Sequence, residues 1–453
     1  MASHEMEKAC IVGAGPGGLA LARAFKNLGI KFDVFEKHSD VGGLWDIENE
    51  GSPMYESAHF ISSKTKSHYA GFPMPEHYPD YPSNNQILSY LRDFAKAYNL
   101  YEDITFNTSV TATKFVDDMW HVTLSNGETR PYRWLVCVTG TNWIPHFPSW
   151  ANDPFDGEIR HARDFRQKQE FAGKRVLVVG AGNSGCDIAC DAAIESEAAF
   201  ISLRRGYHFV PKHIMGKPTD VFATEGPKLP VWMAQKVFSG LLRFINGDIT
   251  RYGLPAPDHK VFESHPIMNT QLLHYLGHGD IRAKGDVKGL DGKDVVFVDG
   301  SRERIDVVLC ATGYDWQIPY VDASQFVWNG RRPENYLHMF SKKNPQLFSL
   351  GYTETNGGIY KHFDDMADIM GRVILEQAKG GAGADKFQQR VTTHKLDLSG
   401  GVNFVSSGRH ANYANLDALV KELGLFRKHM GWKAFDPDAL APETFPKPLK
   451  LVA

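Results

Sequence analysis

The chain has 453 residues, which at about 150 residues per domain predicts two or three domains. With 42% hydrophobic and 23% charged residues, the composition is that of an ordinary globular protein. The formal net charge of −3 provides no basic field for nucleic acid or an anionic membrane. No apolar run approaches the roughly 18 residues of a membrane-spanning helix, and the N-terminus has no apolar signal core. The proline-broken C-terminal stretch ETFPKPLKLVA does not have the pattern of an anchor, so we expect a soluble protein.

The five cysteines are widely spaced, at Cys10, Cys137, Cys186, Cys190 and Cys310. The first, second and last lie in or beside apolar runs typical of buried strands. This usage predicts reduced structural thiols and a cytoplasmic location rather than a disulfide framework.

The first element is a strand over 9–13, followed by a glycine turn and a helix through about Leu28, in the stretch CIVGAGPGGLAL. This arrangement seats a dinucleotide pyrophosphate on a helix N-terminus. A second strand over 30–37 ends in Glu36, which follows Gly18 by 18 residues. An acid at this distance binds a ribose hydroxyl, so the site is predicted to take an unphosphorylated ribose, as in FAD.

The stretch VLVVGAGNSGCD at 176–187 repeats this pattern, with Gly180, Gly182 and Gly185 in the turn. No acid ends the strand that follows, but Arg204 and Arg205 stand 19 and 20 residues after Gly185. An arginine in this place accommodates a 2′-phosphate, which favours NADPH, and Arg205, or its neighbour Arg204, is expected to hold the phosphate. The alternative interpretation is two solvated arginines that close a strand.

The rest of the chain predicts how the two units are connected. Residues 207–285 are rich in Pro and His with helical patches, and are interpreted as an excursion covering the second unit. Two short antiparallel strands are expected at 280–290 and 293–301, followed by an apolar strand at 306–315. A final core strand is expected at 345–353, with an amphipathic helix after it, and the glycine-rich segment 379–386 is interpreted as a loop.

This order returns the chain to the first unit, which predicts an α/β fold with two Rossmann-like domains, the NADPH domain inserted into the FAD domain. The predicted boundaries are 1–165 for the first part of the FAD domain, 166–318 for the NADPH domain, and 319–453 for the second part of the FAD domain with the C-terminal region.

Two dinucleotide sites allow a hydride to pass between bound cofactors, and several enzyme classes do this. Disulfide reductases need a redox-active cysteine pair, but the chain has no C-x-x-C, and Cys186 and Cys190 fall on a predicted helix that packs in the core. Electron-transfer reductases need only the two sites and a partner surface, so that class stays open.

The segment FDGEIRHARDF places Phe155, Gly157, His161 and Phe165 in the pattern F-x-G-x-x-x-H-x-x-x-F, directly before the second glycine turn. With this pattern the sequence resembles the flavin-containing monooxygenases, the class B flavoprotein oxygenases. The stretches EKHSDVGGLW, LRRGYHFVP, YGLPAPDHKVFESHPIMN and ATGYD match further landmarks of the family in order. The resemblance covers most of residues 8–375.

The resemblance implies two sets of cofactor residues. FAD is expected on Gly13, Gly15, Pro16, Gly17, Gly18, Glu36, Lys37, Gly43, Leu44, Trp45, Val110, Thr139 and Gly140. NADPH is expected on Gly180, Gly182, Asn183, Ser184, Gly185, Arg204, Arg205, Thr312, Gly313 and Tyr314. His161 is expected to position NADPH against the flavin without transferring a proton; alone, it would more often be a linker histidine bonded to backbone. No histidine cluster has metal-ligand spacing, so no metal is expected.

The activity that the resemblance implies is oxygenation of a soft nucleophile, an amine nitrogen or a sulfide sulfur, with indole as a further substrate type. NADPH would reduce FAD, and O₂ would form a C4a-hydroperoxyflavin that attacks the small-molecule substrate. Baeyer–Villiger relatives carry Trp where Phe165 stands, which favours N- and S-oxygenation. Two alternatives stay open: Baeyer–Villiger-type ketone oxygenation, and an NADPH oxidase or flavin reductase that passes electrons to a partner or to O₂. A homodimer also stays open.

The chain departs from the family at one position. The animal enzymes place an Asn beside the flavin where this chain has Ile61, which is expected to be part of the pocket wall. Ser62 and Ser63 could supply a hydroxyl in place of the missing amide, or the backbone could serve. The departure predicts weaker protection of the oxygenated flavin and some leakage of hydrogen peroxide.

Overall fold

The structure is a computed structural model that describes residues 7–330, 332–410 and 412–443. The proline-broken stretch 444–453, expected not to be an anchor, lies outside the described residues. Within the described ranges, no helix is both long enough and apolar enough to span a membrane.

The first sheet has five parallel strands. Their spatial order is Leu347–Ser349, Trp134–Cys137, Ala9–Val12, Phe32–Phe35 and Ile104–Thr105. The central strand is fully buried, because helices cover one face of the sheet and a three-stranded antiparallel sheet, with Trp120 and Tyr132 in its core, covers the other. The edge strand Leu347–Ser349 comes from far along the chain, so the whole second sheet is inserted before the first is complete. The strands predicted at 9–13, 30–37 and 345–353 are confirmed.

The second sheet also has five parallel strands. Their spatial order is Ile281–Lys284, Ala198–Ser202, Arg175–Val179, Val307–Cys310 and Glu158–His161. Cys186 and Cys190 are buried on the helix Asn183–Glu195 that follows the central strand, as expected. All five cysteines are free and buried.

Three details differ from the predictions. Ile281–Lys284 is parallel to its neighbour rather than antiparallel, because the helix Gln271–His278 precedes it and makes a crossover connection. Glu158–His161 already pairs in the second sheet, before residue 166 where that unit was expected to begin. The glycine-rich segment is a loop only at its start, since a helix of good helix formers begins at Ala382.

The remaining elements surround the two sheets. The helices are Pro16–Asn27, Asn84–Ala97, Asn183–Glu195, Thr219–Glu225, Val231–Asn246, Gln271–His278, Tyr360–Lys379, Ala382–Thr393 and Leu416–Met430. Two three-stranded antiparallel sheets comprise Val110–Val116, Met119–Leu124 and Thr129–Tyr132, and Val287–Asp291, Asp294–Phe297 and Arg302–Arg304. Short strand pairs join Ile144–Pro145 to Tyr314–Asp315, His213–Ile214 to Lys217–Pro218, Trp328–Asn329 to Arg332–Pro333, and Glu354–Thr355 to Tyr413–Ala414. Short 3-10 turns are Gly43–Trp45, Leu100–Asp103, Ser149–Asn152, Ala162–Asp164, Lys168–Phe171, Ile249–Tyr252, Ala323–Gln325, Gly408–His410 and Asp438–Leu440.

A buried ion pair connects the two helices that pack on the first sheet. Arg23 on Pro16–Asn27 lies 2.5 Å from Asp364 on Tyr360–Lys379, and both side chains are 1% exposed. Arg23 donates to the Ala70 carbonyl (2.9 Å), and the Ala70 N–H donates to Asp364 (2.7 Å). The pair therefore holds two helices and one loop together inside the core.

We expect Asp364→Ala to destabilise the protein by about 3–5 kcal/mol, because the Arg23 guanidinium would stay buried without its counter-charge. The measurement is unfolding in urea followed by circular dichroism. Glu128→Ala, which removes an exposed carboxylate from Arg130, is the control and should change the midpoint little. Equal midpoints for both variants would show that the Arg23–Asp364 pair does not stabilise the core.

Candidate functional site

One large cavity, about 1770 Å³ in volume, lies along the carboxyl ends of both sheets. The glycine turns after Ala9–Val12 and after Arg175–Val179 both line it. Ligands of open parallel sheets bind outside the carboxyl ends of the strands. The cavity can therefore hold two ligands, one against each sheet.

The first turn brings a helix N-terminus unusually close to its strand. Gly13 has φ of +112°, and a Cβ there would lie 2.8 Å from the Val138 carbonyl oxygen. A Cβ at Gly18 would lie 2.0 Å from the Gly13 carbonyl oxygen. The helix begins at Pro16 with no side chain capping its first N–H groups. These free donors fit a pyrophosphate.

Glu36 lies at the end of the second strand, buried against the first turn. Its carboxylate accepts hydrogen bonds from the backbone N–H groups of Ala14 (2.6 Å) and His38 (2.9 Å). Because these contacts fix the carboxylate on the cavity wall, it is oriented to accept a ribose hydroxyl as well. The Lys37 ammonium lies 4.4 Å from the centre of the Trp143 ring, also on this wall.

The structure brings nearly all residues expected for FAD to one end of the cavity. Gly18 is the exception, since it packs the helix on the turn. The members on the wall are Gly13, Gly15, Pro16, Gly17, Glu36, Lys37, Gly43, Leu44, Trp45, Val110, Thr139 and Gly140.

The second turn has the same geometry. A Cβ at Gly180 would lie 2.6 Å from the Ala311 carbonyl oxygen, and one at Gly185 would lie 2.1 Å from the Gly180 carbonyl oxygen. A Cβ at Gly182 would have no atom within 4 Å, so this position opens onto the cavity. The helix Asn183–Glu195 again begins without a side-chain cap.

All residues expected for NADPH line the other end of the cavity. They are Gly180, Gly182, Asn183, Ser184, Gly185, Arg204, Arg205, Thr312, Gly313 and Tyr314. Asn183 also holds the excursion, since its amide donates to the Pro266 carbonyl (3.1 Å) and accepts from the Met268 N–H (2.8 Å).

The two neighbouring arginines differ in their partners. Arg205 lies 2.8 Å from Asp258, and its guanidinium together with His259 holds the pKa of the Asp258 carboxyl at about 2. Arg204 is exposed and forms no ion pair in the described part of the chain. Of the two, Arg204 thus has the uncompensated positive charge at the cavity.

His161 lies on the cavity wall at the end of the strand Glu158–His161, between the rings of Phe147 and Tyr314. Its Nδ1 accepts a hydrogen bond from the Arg163 N–H (3.1 Å). Its Nε2 is buried and forms no hydrogen bond of good geometry among the described residues, although the Gly313 backbone interacts with the ring. Burial lowers the pKa of His161 to about 4, so the ring is neutral at physiological pH.

Ile61, Ser62 and Ser63, which were expected beside the flavin, do not all line the cavity. Ile61 lines the cavity. Ser62 accepts a hydrogen bond from Ser67 (2.6 Å), and the Ser63 hydroxyl lies 3.0 Å from that of Thr65. Ser62 and Ser63 are absent from the cavity wall, so neither hydroxyl faces the space where FAD is expected.

A further part of the wall was not predicted from the sequence. It consists of polar residues from the excursion, the second part of the FAD unit and the C-terminal region, which are His265, Arg332, Glu354, Arg409 and His410. His265 lies in a stretch that matches the family, but no local spacing connects it to Arg332, Glu354 or the pair Arg409 and His410, so their meeting could not be predicted. Among the described residues, no three His, Cys, Asp or Glu side chains form a group that could hold a metal ion.

Comparisons with known proteins agree with this geometry. A family model described as flavin-binding monooxygenase-like matches residues 6–397. The probable indole-3-pyruvate monooxygenase YUCCA9 of Arabidopsis thaliana is 31% identical over 386 residues, covering 82% of this chain and 90% of that protein. Flavin-containing monooxygenase 5 of Mus musculus is 32% identical over 409 residues, covering 83% of this chain and 74% of that protein. Tmm from a Pelagibacter species has the same fold, with a TM-score of 0.66 at 21% identity over 97% of this chain and 89% of that chain.

The chain therefore belongs to the flavin-binding monooxygenase-like family. It is an FAD- and NADPH-dependent monooxygenase that inserts oxygen into nucleophilic substrates. The family resemblance, the two cofactors and the enzyme class expected from the sequence are confirmed.

We expect Gly182→Val to fold normally but to bind NADPH at least about tenfold more weakly, because its side chain would occupy the space where the pyrophosphate approaches the backbone. FAD content and thermal unfolding should match the wild type, and NADPH affinity is measured by titration. Gly185→Val is the contrasting variant and should impair folding itself. Unchanged NADPH affinity in Gly182→Val would exclude this turn as the pyrophosphate site.

We expect Arg204→Gln to raise the KM for NADPH roughly ten- to a hundredfold and to leave the KM for NADH nearly unchanged, because a charge-assisted contact to the 2′-phosphate is lost. Arg205→Gln should have the smaller effect, since Asp258 already neutralises that side chain. Both variants are compared by steady-state oxidation of each coenzyme. Equal losses with NADPH and NADH, or a larger loss in Arg205→Gln, would contradict this assignment.

Proposed function

We propose that FAD binds at the first glycine turn and NADPH at the second, so that both meet inside the one cavity. The observation that carries this proposal is the pair of uncapped helix N-termini, after Gly15 and Gly182, which open into the same space. When bound, FAD would supply the redox and oxygen-transfer chemistry, with NADPH as the reductant and O₂ as the source of the oxygen atom. The side chains around it bind, orient and exclude water.

The ribose groups are distinguished by charge. The Glu36 carboxylate accepts hydrogen bonds from the hydroxyl groups of the FAD ribose, and its negative charge would repel a phosphate there. Arg204 binds the 2′-phosphate of NADPH, with Arg205 and Asp258 forming a neutral pair beside it.

The substrate is a soft nucleophile, an amine nitrogen or a sulfide sulfur, and it reacts against an apolar wall. Trp45, Phe60 and Tyr360 form this wall, with ring centroids 5.1 Å apart for Trp45–Phe60 and 5.4 Å apart for Phe60–Tyr360. The Trp45 indole N–H donates to the Tyr360 hydroxyl (2.6 Å), which fixes both rings. Ile61 continues the wall, so water is excluded from the reacting atoms. The name of the Arabidopsis relative extends the candidate substrates to indole compounds.

His161 acts as a positioning residue in this proposal. Because Nδ1 accepts the Arg163 N–H, the neutral ring carries its proton on Nε2, which can donate one hydrogen bond to the nicotinamide end of NADPH. A pKa of about 4 means that it does not exchange a proton near neutral pH.

An NADPH oxidase that releases hydrogen peroxide is the second candidate, favoured by Ile61. This side chain places no hydrogen-bond donor on the flavin side of the cavity, and the Ser62 and Ser63 hydroxyls bond elsewhere. Without such a donor, hydrogen peroxide would be released either as a side product of oxygenation or as the main product.

We further propose that the enzyme acts in the cytoplasm, because all five cysteines are free thiols.

The ratio of oxygenated product to NADPH consumed separates the two functions. We expect a ratio well above one half with the best of a panel of tertiary amines, sulfides and indole, because the apolar wall keeps water from the reacting atoms. Product is measured by mass spectrometry and peroxide by a peroxidase assay. Stoichiometric peroxide with every compound would establish the oxidase, and a lactone or ester from an added ketone would establish Baeyer–Villiger chemistry instead.

A further inference from the structure

The polar part of the cavity wall is an incomplete charge network, made by three segments that are distant in the chain. Arg332 belongs to the short strand Arg332–Pro333, Glu354 follows the last strand of the first sheet, and Arg409 comes from the C-terminal region. Glu354 Oε2 lies 3.4 Å from Arg332 Nη1 and 3.3 Å from Arg409 Nε. Two guanidinium groups thus share one oxygen of one carboxylate, at the long end of hydrogen-bond range.

Arg332 is held rigidly and buried in the wall. Its side chain is 6% exposed, and its guanidinium lies 3.7 Å from the centre of the Trp316 ring. Because the face of the Arg332 guanidinium is covered by the ring, its N–H edge stays free for hydrogen bonding, as in the recognition of carboxylates by arginine. Glu354 is the one carboxylate paired with it in the described part of the chain. Most of its five donors are therefore available to a ligand in the cavity.

The neighbouring histidines add no charge of their own. Burial and the positive charge of Arg409 hold the pKa of His265 well below its usual range, and the same causes lower the pKa of His410 to about 4. The wall therefore carries two positive charges and one negative charge at neutral pH. The remaining positive charge is uncompensated among these residues.

This wall lies beside the FAD end of the cavity. The Trp316 ring packs edge-on against Tyr352, with centroids 6.0 Å apart. The Tyr352 hydroxyl lies 2.7 Å from that of Thr139, which lines the proposed FAD site. A ligand on Arg332 would thus lie next to the proposed FAD site.

We propose that Arg332 and Arg409 bind the carboxylate of the substrate, so that the enzyme acts on soft nucleophiles that carry a carboxylate group. This proposal rests on the monooxygenase function proposed above. For a sulfide, the balanced reaction is sulfide plus O₂, NADPH and H⁺ giving sulfoxide, NADP⁺ and water. The sulfur loses two electrons, and the carboxylate takes part only in binding.

The test compares two probes of nearly equal size in the full-length holoenzyme, 3-(methylthio)propionate and its neutral amide. The carboxylate probe should have a KM roughly ten- to a hundredfold lower than the amide, because it gains charge-assisted hydrogen bonds. In Arg332→Gln this advantage should be lost, while the KM values for the amide and for NADPH stay unchanged. Arg302→Gln, which changes an exposed arginine in an outer antiparallel sheet, is the matched control.

A second pair of variants keeps the test valid if Arg332→Gln folds poorly. Arg409→Gln changes a side chain that is 42% exposed and should weaken binding of the carboxylate probe alone. Glu354→Gln should have the opposite effect and lower the KM of the carboxylate probe, because a competing carboxylate is removed. Calorimetric titration of the oxidised holoenzyme with both probes measures the same differences without turnover.

The possible results separate this inference from the proposed function. Equal KM values for the two probes in the wild type, with both oxygenated, would overturn the carboxylate site and leave the monooxygenase standing. A rise in the KM for NADPH in Arg332→Gln, without a change in probe preference, would assign the arginine to the coenzyme phosphates and also overturn it. Tight calorimetric binding of the carboxylate with peroxide as the only product would support the anion site and contradict the monooxygenase function.

Discussion

The close approach of a helix to its strand is the steric constraint on which both nucleotide sites depend. At Gly18 and Gly185 only a hydrogen fits, since a Cβ would lie 2.0 and 2.1 Å from the carbonyl oxygen of the turn's first glycine. This contact places the start of each helix at the carboxyl edge of its sheet. Neither helix has a side-chain cap, so its first N–H groups stay free. They face the cavity, because both glycine turns line it. The anion sites are thus a consequence of backbone packing before any cofactor is bound.

Features that depend on short-range patterns could be predicted from the sequence. The strand, turn and helix around each glycine motif occur as expected, because the motif itself contains the steric requirement. Glu36 is placed by the length of one helix and one strand, so its position follows from residue spacing. The direction of Ile281–Lys284 could not be read in this way, since it depends on the preceding helix crossing over the sheet.

Features that depend on long-range partners could not be predicted. Arg204 and Arg205 are adjacent in the sequence, and Asp258, from the excursion, distinguishes them. The directions of the Ser62 and Ser63 hydroxyls are set by Ser67 and Thr65, so their distance from the cavity is a result of local folding that spacing does not show. The same holds for Arg332, Glu354 and Arg409, which are far apart in the chain and meet only when the second part of the FAD unit packs with the C-terminal region.

Insertion of the second unit into the first connects the proposed NADPH site to this polar wall. Asn183 at the start of the second helix holds Pro266 and Met268 by two hydrogen bonds. The neighbouring His265 donates its backbone N–H to His410 (3.1 Å), next to Arg409. These three hydrogen bonds link the start of this helix to the polar wall. The residues proposed to hold the coenzyme and those proposed to face the substrate thus form one continuous set of contacts, although the chain contributes them from separate segments.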